Sequence, residues 1–93
     1  VDDKPKPALR AVALRYKRGE DAAPKLTAKG QGTVAERIVE LARRHGVPIR
    51  QDRNLVEVLS RLDLEQEIPP QVYRAVAEIL AFVYRLSSEN RRV

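Results

Sequence analysis

Ninety-three residues, a net charge of +5 and no cysteine describe one domain with a single modest core. The missing cysteines exclude a disulfide framework and a thiolate metal site, and one histidine excludes a His-rich zinc centre. No apolar run approaches the roughly 18–20 residues of a transmembrane helix, and Val1-Asp2-Asp3-Lys4-Pro5 has no secretory-signal core, so the chain reads as soluble. The charge is lopsided: residues 1–50 carry twelve Lys/Arg against six Asp/Glu, and residues 51–93 carry six against seven. A basic first half suits an acidic protein surface, anionic lipid headgroups or nucleic acid, and equally a solvated face with no partner.

Residues 1–10, with Pro5 and Pro7 among lysines and aspartates, read as a flexible leader. Val12, Leu14 and Tyr16 alternate within Ala11–Tyr16, which predicts a strand. After a loop containing Gly19 and Pro24, Lys25–Lys29 predicts a second strand, antiparallel to the first and closed by Gly30-Gln31-Gly32. Thr33 with Glu36 three residues on is a capping box, and Val34, Ile38, Leu41 and Ala42 then repeat at helical spacing. Arg43, Arg44 and His45 complement the helix dipole in the last turn, Gly46 stops the helix and Pro48 forbids its continuation.

Pro48–Gln51 predicts a short third strand, parallel to the strand before the helix in a βαβ unit. Asp52 caps a second helix over Arg53–Leu62 that carries Leu55, Val58, Leu59 and Leu62. Ile68-Pro69-Pro70 opens a third helix to Leu86, with Val72, Val76, Ile79, Leu80, Val83 and Leu86 on a face that Ala75 and Phe82 widen. Residues 87–93 read as a frayed polar tail. The expected fold is thus α/β over residues 11–86: a small mixed β-sheet of about three strands packed with three helices.

Reactive groups that could converge are scarce. His45 lies in a helix's last turn, where a dipole partner explains it. Ser60, Ser87 and Ser88 stand in no nucleophile-elbow pattern, and Gly30 and Gly32 fit neither the dinucleotide fingerprint nor the P-loop. No enzyme, no metal and no cofactor is expected, and no small-molecule substrate. Arg15, Lys17, Arg18, Lys25 and Lys29 could form a positive patch across two strands, which keeps a small nucleic-acid-binding domain as the alternative. Against it, three of the four aromatics (Tyr73, Phe82 and Tyr84) lie on the last helix, so the strands offer no base-stacking platform.

The order and spacing of several segments carry a resemblance. They are AVALRY (Ala11–Tyr16), APKLTAKG (Ala23–Gly30), Ala35-Glu36-Arg37-Ile38, GVPI (Gly46–Ile49), Leu55–Leu59 and IPPQVYRAVAEILAFVYRL (Ile68–Leu86). Together they resemble the C-terminal cytoplasmic domain of the FlhB/YscU family (EscU, SpaS and HrcU among its members) of type III secretion export switches. The resemblance implies a substrate-specificity switch domain in flagellar or injectisome protein export. It implies a cytoplasmic location, with peripheral association at the inner-membrane export gate. Partners would be export-apparatus proteins and exported substrates, met at an apolar patch that matches Ala23, Pro24, Ala77 and Leu80 here.

In that family an Asn-Pro-Thr-His motif cleaves itself when the Asn amide attacks its own carbonyl. The matching tetrapeptide is Lys6-Pro7-Ala8-Leu9, a degenerate autocleavage motif in which only the proline survives. Lysine has no amide with which to close the succinimide ring, so the resemblance implies a short, non-cleaving relative. The family strand before the motif has no counterpart in the leader.

Overall fold

The computed structural model describes the backbone of residues 9–90 and the side chains of residues 9–85. Strand β1 (Arg10–Arg15) pairs antiparallel with β2 (Lys25–Gln31), helix α1 (Thr33–Arg44) follows, then α2 (Arg53–Leu59), a 3₁₀ turn (Pro70–Val72) and α3 (Tyr73–Asn90). The mixed α/β character and the three helices agree with the sequence reading.

The two faces of the hairpin differ because of one extra residue. Ala13 pairs with Ala28 and Leu14 with Leu26, which leaves Thr27 as a bulge whose Oγ1 donates to the Ala13 carbonyl at 3.3 Å. By simple alternation Leu26 and Ala28 would share a face; the bulge parts them. Leu26, fully buried, joins Ala23, Leu55, Leu59, Leu62, Ile68, Val72 and Val76 in the core, with Val12 and Leu14 packed against them. The other face is alanine-rich and carries α1, whose own buried residue is Ala35.

Small side chains let α1 come close. A Cβ added at Gly30 would lie 2.8 Å from Val34 Cβ, so Gly30 serves the helix–strand approach inside β2 rather than the turn the sequence reading assigned it. The chain then turns at Gly32, whose φ of 57 and ψ of −124 suit glycine alone. Gly32 is therefore the N-cap, and Thr33 already stands inside the helix. The expected capping box does not form, because no side chain caps α1. The C-terminus behaves as read: Gly46 takes φ 68, and its N–H and that of Val47 donate to the Arg43 and Ala42 carbonyls in a Schellman-type stop. Asp52 caps α2 as read, its Oδ1 accepting the Leu55 N–H at 3.0 Å.

Two further expectations fail. The helical repeat of Val34, Ile38, Leu41 and Ala42 would turn these residues to the core, yet Leu41 is 40% exposed and Val34 54%. The close approach at Gly30 and Ala35 buries α1's small residues and leaves its long ones overhanging the sheet. A shallow apolar cavity of about 240 Å³ among Ala13, Ala28, Ile38 and Leu41 marks the mismatch.

Nor is there a third strand at Pro48–Gln51 among the described residues; Val47 and Ile49 are exposed instead. The outer edge of β2, where a strand parallel to it would pair directly, is held by residues 65–68. The Leu26 N–H donates to the Gln66 carbonyl, the Leu26 carbonyl accepts from Glu65, and the Ile68 N–H donates to the Pro24 carbonyl. Lys25 and Glu67 form an antiparallel bridge in the same place. Pro48 could not donate to a ladder in any case.

The alternation also exposes an edge. Since Leu26 bonds outward, its partner Leu14 must too, and so must Val12, while Ala11 and Ala13 face β2. Among the described residues nothing bonds to the outward groups of Val12 and Leu14. Amide exchange followed by NMR is expected to be fast at Val12 and Leu14 and slow at Ala11 and Ala13. Equal protection at all four would mean that another strand covers this edge.

Candidate functional site

The loop between β1 and β2 is a built structure. Lys17 accepts the Glu20 and Asp21 N–H groups on its carbonyl at 3.1 and 2.9 Å, and its own N–H donates to Asp21 Oδ2 at 2.9 Å. Gly19, at φ 84, makes the tight turn possible. The chain then passes Ala22 and buries Ala23 and Pro24 beside Ile68. Pro24 cannot donate, but its carbonyl accepts the Ile68 N–H, which anchors the loop to the segment that leads into α3.

Between this loop and α3 lies an open apolar groove of about 360 Å³. Ala23, Pro24 and Ile68 form its floor, and Val76, Ala77 and Leu80 form the α3 wall one helical turn apart. Tyr16, Tyr73 and Tyr84 close the rim. The four residues expected to form a binding patch, Ala23, Pro24, Ala77 and Leu80, therefore meet at one place although 53 positions of sequence separate Pro24 from Ala77. Ala23 and Pro24 are buried, Leu80 is half-buried against the core, and Ala77 is exposed. Alanines at 23, 77 and 81 are what keep the groove open: a longer side chain at any of them would fill it.

Sequence reasoning named the tyrosines and Arg18 but did not place them at the patch. The Arg18 guanidinium carbon lies 4.7 Å from the centroid of the Tyr84 ring, a cation–π contact between the loop and α3. The signal was present, since Arg18 and the tyrosines stand beside the expected patch residues in the chain, but nothing local ties residue 18 to residue 84.

The positive patch dissolves on inspection of its members. Arg15 pairs with Glu65 at 3.5 Å, Lys17 with Glu20 at 3.8 Å and Lys25 with Asp21 at 4.0 Å. Lys29 Nζ donates to the Leu62 carbonyl at 2.7 Å. Three of the five cations thus have a carboxylate partner and a fourth is tied to a backbone carbonyl, so the five do not form a row of unengaged charges. His45 is exposed at the C-cap of α1. Of the degenerate tetrapeptide, Lys6, Pro7 and Ala8 lie outside the described residues; Leu9 is 49% exposed and its carbonyl accepts the Gly32 N–H at 2.7 Å. No helix among the described residues is long and apolar enough to cross a membrane.

Comparison with known proteins meets the same elements. The model of the FlhB HrpN YscU SpaS family matches residues 6–83. The Bacillus subtilis protein YlqH is 45% identical over 88 residues, covering 92% of this chain and 95% of its own. The flagellar biosynthetic protein FlhB of Aquifex aeolicus is 41% identical over 78 residues, covering 83% of this chain but 22% of FlhB. The chain thus spans about a fifth of the flagellar relative's length. The crystal structure of the cytoplasmic domain of FlhB from Shewanella putrefaciens superposes with a TM-score of 0.80 at 34% identity, covering 88% of this chain and 68% of that one. A family match over most of the sequence, on a fold shared at that level of identity, leads to one conclusion: this chain belongs to the FlhB/YscU family and corresponds to its cytoplasmic domain.

Proposed function

We propose that the chain is a non-enzymatic protein-interaction domain of the flagellar or type III export apparatus. In this reading it works in the cytoplasm, peripherally at the inner-membrane export gate, and binds gate components or export substrates through the groove between the β1–β2 loop and α3. The observation that carries it is the convergence of Ala23, Pro24, Ala77 and Leu80 on one open apolar groove in a member of this family. Small walls and an aromatic rim suit a single apolar side chain from an extended or helical segment, held with modest affinity and released again, as export requires.

Pull-down with the tagged chain from a flagellated host is expected to recover export-gate proteins or early substrates, and to lose them when the groove is filled. Retention on DNA that falls steeply with salt, unaffected by filling the groove, would instead favour the nucleic-acid reading.

The proposal includes the absence of self-cleavage. Succinimide formation needs a side-chain amide held close to its own carbonyl, and Lys6 offers an ammonium group on a long stem instead. Mass spectrometry of the purified protein is expected to show one species uncut at the Lys6–Pro7 bond. Two fragments meeting at that bond would refute the reading of the tetrapeptide.

A further inference from the structure

We infer that Arg18 reads a carboxylate at the rim of the groove, so that the segment docking there carries an acidic residue beside its apolar anchor. This rests on the groove being a peptide-docking site. Among the described residues, Arg18 is the one charged side chain lining the groove. Its neighbours Arg15, Lys17, Lys25 and Lys29 are engaged within the fold, whereas Arg18 makes no ion pair or hydrogen bond among the described residues. Its guanidinium carbon lies over the Tyr84 ring, 4.7 Å from the centroid. Guanidinium groups stack flat on aromatic rings, and in that arrangement the N–H edge, a planar fork that matches a carboxylate, stays available.

The fork is also preorganised. The turn that carries Arg18 is closed by three hydrogen bonds between Lys17 and residues 20 and 21, and stacking on α3 restrains the long side chain before any ligand arrives. A lysine at this position would keep the charge and lose the fork. The rival account makes Arg18 a clip that merely fastens the loop to α3, and that account foresees no preference among ligands.

The test is a phage-displayed library of random dodecapeptides, selected in parallel on the wild-type chain and on R18Q, R18K and L80D, each checked for folding by circular dichroism. On the wild type, enriched peptides are expected to share an apolar anchor with Asp or Glu within about three positions. Synthetic Glu and Gln versions of one such peptide should differ about fivefold in Kd on the wild type, the upper end for a solvent-exposed pair. On R18Q the apolar anchor should persist while the acidic preference vanishes, and R18K should fall between the two. Apolar-anchored peptides with no acidic preference on the wild type, or with the same preference on R18Q, would overturn the role of Arg18 and leave the groove standing. Enrichment of the same peptides on L80D as on the wild type would overturn the groove itself.

Discussion

Leu26→Ala is expected to destabilise the fold by about 2–5 kcal/mol, the range for emptying a well-packed leucine site. Leu26 is fully buried at the centre of the core, between the hairpin and α2, and both its backbone groups bond to residues 65 and 66. The segment 65–68 cannot follow the shrinking side chain without breaking those bonds, so little of the cavity should close. At about 4–8 °C of melting temperature per kcal/mol for a domain of this size, the loss would be plain in a thermal melt. Leu41→Ala is the control. The same chemical change at a site 40% exposed on α1 should cost well under half as much. Equal losses at the two sites in urea titrations would mean that α1 packs more deeply than its exposure shows.

Ala77→Phe is expected to abolish partner capture while leaving stability within about 0.5 kcal/mol, as for an ordinary surface change. Ala77 is exposed on the α3 wall, so a ring there has room to lie in the groove without disturbing Val76 or Ile68 beneath. An apolar side chain buried by a partner contributes about 1.5–3 kcal/mol, and excluding it should weaken binding about 10- to 100-fold. The position matters more than the chemistry. Phe at Val58, exposed on α2 and outside the groove, should change neither stability nor capture. A77F protein that still recovers the same partners, measured by pull-down or calorimetry, would move the interaction surface elsewhere.

Both results depend on which signals are local. The stop at Gly46, the cap at Asp52 and the two strands were legible in sequence because each depends on a few adjacent residues and on backbone conformations that few residue types allow. The start of α1 was misread by one position. Thr33 and Glu36 have capping-box spacing, but Gly32 turns the chain so sharply that the helix begins at Thr33 itself. The patch residues came from resemblance and not from any pattern of their own, since alanines and a proline carry no periodic signal.

The sequence alone determined that three helices form and where α1 stops, that the first two strands pair antiparallel, and which family the chain resembles. Only the tertiary structure decided the rest, because the deciding contacts join residues far apart in the chain. Residues 65–68 hold the β2 edge, and Pro48–Gln51 forms no strand among the described residues. The bulge at Thr27 sends Leu26 to the core and Ala28 to α1, so a face of alanines receives α1 and leaves Leu41 overhanging. Arg18 meets Tyr84 only because the β1–β2 loop folds against α3, and that same docking opens the groove. Side-chain spacing reports the face of an isolated helix or strand; what covers that face is set by the packing of the whole chain.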